Sequence, residues 1–162
     1  MDKIKITFAS DEDAALVGYE DILDDEPSIE LVASLSDLKG HAAWLALARS
    51  DVLLIDEALV LRDGFEPLNM LLSSYPEVHC LLVLNSHCEH KMRWAVMQGV
   101  RGVLTIEEIQ PLLFKVLTKL MAGEIWAPRD LMQPNPQGAG KLGDGPGAYR
   151  QPQRISEWVK WH

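Results

Sequence analysis

The run DVLLIDEALVLRDG, residues 51–64, sets four aliphatic side chains in a row, Val52, Leu53, Leu54 and Ile55, directly before an aspartate, Asp56. Such a run, with no polar alternation, suits a strand covered on both faces, as in the middle of a parallel sheet. An aspartate at the end of that strand faces the crevice outside the carboxyl edge, where doubly wound folds place their chemistry.

Strand and helix signals alternate on either side. Residues 3–9 alternate polar with apolar residues and predict a first strand. Leu16, Tyr19, Ile22 and Leu23 share one face of a predicted helix over 13–26, which Pro27 ends. A short strand over 29–34 and an alanine- and leucine-rich helix over 37–48 follow. Beyond the quoted run come a helix over 66–75, an apolar strand over 78–84, and a helix over 89–98 with Trp94 and Met97 directed inward and Gly99 at its end. A short strand at 102–104 precedes the clearest helix, where Ile109, Leu112, Leu113, Val116, Leu117 and Leu120 recur at helical spacing and Gly123 closes the run. Five strands alternating with five helices predict an α/β fold, doubly wound around a parallel sheet.

The composition changes after Met132. Residues 133–152, QPNPQGAGKLGDGPGAYRQP, hold repeated glycine and proline and almost no large aliphatic residue, so they bury too little apolar surface to offset their ordering entropy. The expected organisation is a domain over 1–130, a linker over 131–153 and a flexible, short amphipathic tail over 154–162. In that tail Ile155, Trp158, Val159 and His162 fall at helical spacing, with Trp161 beside them. This tryptophan-bearing end reads equally as an anchor for a partner groove or the acidic body, and as sequence without a role.

The 162 residues carry a net charge of −9, with 48% apolar residues, the balance of a soluble domain with a real core. Acidity sets the chain against phosphate backbones and anionic lipid, so neither direct nucleic-acid binding nor membrane binding is expected. Two cysteines, Cys80 and Cys88, are too few for a disulfide framework. With no apolar leader and no stretch near the roughly 20 apolar residues of a membrane span, the expectation is a cytoplasmic protein.

Residues 51–64, together with SSYPEVHCLLVL at 73–84, QGVRGVL at 98–104 and AGEIWAP at 122–128, resemble response-regulator receiver domains of the LuxR/NarL type, in that family's order and spacing. The resemblance implies a five-stranded parallel sheet of order 2-1-3-4-5, the flavodoxin- and CheY-like arrangement. It makes Asp56 the phosphoacceptor position. It puts Ser10 and Asp11 where two adjacent acids would hold magnesium, so one carboxylate is lost. Glu12 or Asp13 could substitute only with a shifted turn. Asn85 stands at the switch position, normally Thr or Ser, and Ile106 where a lysine would pair with the phosphoryl group. In the loop that the resemblance implies after the acceptor, Leu59-Val60 stand in place of the usual Met-Pro pair.

An aliphatic side chain offsets no phosphoryl charge, and a serine hydroxyl is a poor magnesium ligand. The expectation is therefore a degenerate receiver. It is not an enzyme, and it has no cofactor beyond a weak magnesium site at Asp11 and Asp56. It acts by contact with a protein partner or a second copy of itself, in transcriptional or signal-transduction control. The face of the fourth and fifth helices, with Arg93, Trp94 and Met97, is the expected contact surface, and Trp126, Trp158 and Trp161 are further candidates. Two alternatives stay open. One is a conventional phospho-accepting regulator of a two-component phosphorelay. The other is a cyclic di-GMP sensor, since Trp126, Ala127, Pro128 and Arg129 resemble the W-x-x-R stretch of some LuxR-type regulators; against it stands Trp126 as an apolar plug. Such regulators usually continue into a helix-turn-helix, for which the sequence after the linker is too short. His87, Cys88 and His90 read either as a three-ligand metal loop or as a polar loop above a buried Cys80.

Overall fold

A computed structural model describes residues 3–11 and 21–127. The expected linker and tail, with Trp158 and Trp161, lie outside the described residues, as do Glu12, Asp13 and Arg129. The elements in chain order are β1 (Ile4–Ala9), a helical turn at residues 21–24, β2 (Ile29–Leu35), α1 (His41–Leu47), β3 (Val52–Asp56), α2 (Glu57–Asp63), α3 (Glu66–Ser74), β4 (His79–Leu84), α4 (Glu89–Met97), β5 (Gly102–Thr105) and α5 (Ile106–Met121).

The strands form one parallel sheet of order β2-β1-β3-β4-β5, as the resemblance implied. β3 sits at its centre, with Leu54 paired to Phe8 of β1 and to Leu81 of β4. Its five residues are all buried, which explains the unbroken apolar run. Successive side chains leave a strand on opposite faces. Leu53 and Ile55 therefore enter one apolar cluster with Ala43, Val60, Leu68 and Trp94 from α1 to α4. Val52 and Leu54 enter a second with Leu23, Ile109, Leu113, Val116 and Leu120, mostly from α5. Two helical layers thus cover the sheet.

Two glycines answer local demands, one of packing and one of backbone conformation. A Cβ on Gly102 would stand 2.9 Å from Leu81 Cδ1 and 3.4 Å from Leu120 Cδ2, so a larger residue there would have to push these side chains aside. Gly123 takes φ 87° and ends α5, where its N–H donates to Leu120 O at 2.9 Å.

The structure corrects the sequence reading in three places. Leu59-Val60, read as part of the loop after the acceptor, lie in a helix, α2. The last strand runs one residue further, to Thr105, whose N–H and Oγ1 both donate to Glu108 Oε1, at 3.0 and 2.9 Å, and so start α5. Met97, expected inward, is exposed as the last residue of α4, where the buried stripe of Met92, Trp94 and Ala95 has ended.

Candidate functional site

The carboxyl edge of the sheet gathers the ends of β1, β3, β4 and β5. Asp56, the last residue of β3, retains 8% of its exposure. Its Oδ1 accepts the Leu59 N–H at 3.1 Å, the third backbone donor of α2. An aspartate before a helix commonly satisfies one of the first turn's unpaired N–H groups this way. The other oxygen, Oδ2, accepts a hydrogen bond from the buried Ser10 hydroxyl at the end of β1. The carboxylate at the phosphoacceptor position is therefore the N-cap of α2 and an anchor for the β1 end at once.

Glu57 follows Asp56 into α2 and is fully buried. Its Oε2 meets Lys91 Nζ of α4, itself only 1% exposed, in an ion pair. Its Oε1 accepts the Asn85 backbone N–H at 3.1 Å. Asn85, at the predicted switch position, is thus tied to the carboxylate next to Asp56 through its main chain. Sequence reasoning passed over both members of this pair. Lys91 lies in a polar stretch of a helix, and only the tertiary fold turns it inward.

Asp11 pairs with Arg62 of α2. The guanidinium also donates to both oxygens of Asp63, at 3.0 and 3.0 Å, and to Ser36 O at 2.6 Å. The hydrogen bond to Asp63, with the charges of Asp63 and Asp11, holds Arg62 charged well above its ordinary range. Arg62 in turn keeps the Asp63 carboxyl below the usual carboxylate range. Ile106, the position the resemblance gives to a lysine, opens α5 with 49% of its surface exposed. The edge therefore brings Ser10, Asp56, Glu57 and Lys91 together and leaves Ile106 at its margin.

Among the described residues, the oxygens that would meet a receiver's divalent cation are engaged by groups of the chain itself. Magnesium needs a near-octahedral set of oxygen ligands. Here Asp11 is paired with Arg62, Ser10 donates its hydroxyl to Asp56, and both Asp56 oxygens accept donors of the chain itself. Among the described residues no three His, Cys, Asp or Glu side chains are arranged to hold a metal, His87, Cys88 and His90 included.

Trp94, named for the contact surface, is 4% exposed and stands edge-on to Phe65 with ring centroids 4.1 Å apart. It belongs to the core, as its inward helical position indicated, and presents no ring to a partner. Arg93 is half-buried and Met97 exposed. Trp126 is half-buried, and its backbone extends the sheet edge, with its N–H on Arg101 O at 2.9 Å and its O on Val103 N at 3.0 Å. Lys115 Nζ lies 5.8 Å from the centroid of its ring. This arrangement matches the apolar plug of the sequence reading. Among the described residues no helix is long and apolar enough to cross a membrane.

The chain matches no known protein-family profile. Over 99 residues it is 26% identical to the DNA-binding transcriptional activator DevR/DosR of Mycobacterium tuberculosis, a match covering 61% of this chain and 46% of that protein. The chain thus spans about half the length of this curated relative. Among solved structures it is similar to the apo receiver domain of RcsB from Salmonella enterica serovar Typhimurium, with TM-score 0.68 and 18% identity over 81% of this chain and all of that one. It is also similar to the receiver domain of the response regulator NarL from Mycobacterium tuberculosis, with TM-score 0.65 and 20% identity over 76% and 100%. A pilus assembly-related protein from Burkholderia pseudomallei gives TM-score 0.66 and 23% identity over 78% and 94%. Sheet order, helix layers and these likenesses together establish that the chain has the fold of a response-regulator receiver domain.

Proposed function

We propose that this chain is a receiver-like signalling module that works by protein–protein contact, without phosphorylation of Asp56, in transcriptional or signal-transduction control. The observation that carries the reading is the double engagement of Asp56. One oxygen caps α2 and the other holds Ser10. In-line attack on phosphorus needs a free carboxylate oxygen and a neutralising cation. An aspartyl phosphate would add about two negative charges beside the buried Glu57. Lys91 is spent on Glu57, and Ile106 supplies no charge.

The regulatory setting rests on the likeness to an activator described as DNA-binding and to receiver domains of response regulators. Contact with DNA is not part of the proposal, because the chain is acidic. Contact with a partner or a second copy falls to the exposed residues flanking β5. These are Met97 on α4, beside the half-buried Arg93, and Ile106 at the start of α5.

Incubation with acetyl phosphate and magnesium, read by intact mass, tests the reading. The expected spectrum shows the unmodified chain. A phosphate adduct that disappears in Asp56→Asn would establish a phospho-accepting regulator instead.

A further inference from the structure

Three acidic side chains, Asp11, Asp56 and Glu57, stand at the carboxyl edge of the sheet, and each is met by groups of the chain itself. Arg62 has the widest reach. It sits in the last turn of α2, and side chains on a helix lean back toward its N-terminus. That direction returns the guanidinium toward the edge from which α2 starts. There its fork joins three segments: Asp11 after β1, Ser36 O after β2, and Asp63 of α2 itself. A planar guanidinium offers five donors in fixed geometry, so one group can hold all of these oxygens together.

We infer that Arg62 is the resident counter-cation of this pocket, doing at Asp11 what a divalent ion would otherwise do and barring such an ion from the site. The inference rests on the reading of the pocket as phosphorylation-independent and adds a cause to it. The causal order begins at Asp56. By capping α2, its carboxylate supports the helix that delivers Arg62 to Asp11. A metal entering at Asp11 would have to displace the guanidinium from a contact that its bonds to Asp63 and Ser36 keep close at hand. Arg62 and Asp11 are 40% and 35% exposed, so the site is open to solvent and a small ion could reach it once the arginine is removed.

The test is a manganese titration of the full chain, following free Mn²⁺ by electron paramagnetic resonance, with no phosphodonor present. Failure of this inference is thereby separate from failure of the functional reading. Arg62→Ala is expected to bind Mn²⁺ roughly tenfold or more tightly than the unchanged chain. Adding Asp11→Asn to that variant should remove the gain. In the otherwise unchanged chain Asp11→Asn should leave Mn²⁺ affinity as it was, a comparison that holds even where Arg62→Ala does not fold. The inference is overturned by any of three results: equal affinity of the unchanged chain and Arg62→Ala, a gain that survives Asp11→Asn, or a loss of affinity when Asp11 alone is replaced.

Discussion

Asp56 illustrates how one side chain is set partly by its own stretch of chain and partly by what the fold brings to it. Its position at the end of a central strand follows from the apolar run before it. Its two hydrogen bonds follow from neighbours that only the fold supplies, Ser10 from β1 and the start of α2. Cys80 shows a simpler burial effect. Fully enclosed in β4, its thiol is pushed from 9.0 up to about 12, because a thiolate there would lose its hydration. The native state therefore holds the proton after the unfolded chain has released it. This contribution to stability is complete below pH 9 and is lost as the pH rises from 9 toward 12. Urea midpoints should fall over that range, and Cys80→Ala should flatten the fall. A midpoint equally steep in Cys80→Ala would disprove the assignment. Cys88, half-exposed, should react with a thiol reagent in the native protein while Cys80 stays protected.

At the scale of elements, α2 and α4 are joined by the Glu57–Lys91 pair. Both side chains are out of water, so each charge depends on the other for compensation. Removing one partner takes the opposite charge from the second, at a cost of about 3–5 kcal/mol, whereas apolar replacement of both is often neutral. Glu57→Gln and Lys91→Met are each expected to destabilise the protein by about that amount in urea denaturation. The double variant Glu57→Leu/Lys91→Met should recover most of the loss. If the double variant were as unstable as the sum of the singles, the pair would not be a unit. The same element scale accounts for the misplaced contact residue. Trp94 and Met97 are three positions apart on α4, yet the first packs against Phe65 and the second, at the end of the helix, is exposed.

The whole molecule is a sheet between two apolar layers, one built mainly on α1 to α4 and the other on α5. β3 is paired on both edges and covered on both faces, while β2 and β5 are the sheet's edges. Amide exchange opens fastest where backbone bonds meet solvent and slowest in the enclosed centre. Native-state hydrogen exchange should therefore be slowest in β3 and its neighbours β1 and β4, and faster in β2. Equal protection across all five strands would show that the two layers do not differ in local stability from edge to centre. The edge carrying Asp56 thus rests on the most enclosed strand of the sheet.

Periodicity and spacing in the sequence already carried the sheet, the central strand and the apolar face of α5. These depend on near neighbours in the chain, which a run of side chains records directly. The resemblance also marked Asp56, Ser10, Asn85 and Ile106 as positions of one pocket, and the loss of charge at Ile106 is legible without a structure. The tertiary structure alone decided which charges meet at that edge. Arg62 and Lys91 come from helices whose side-chain directions depend on how α2 and α4 pack, and their partners lie 51 and 34 residues away in the chain. A charge pair separated by that distance leaves no periodic trace, because its attraction is set by where the chain returns in space and not by what stands beside it in sequence.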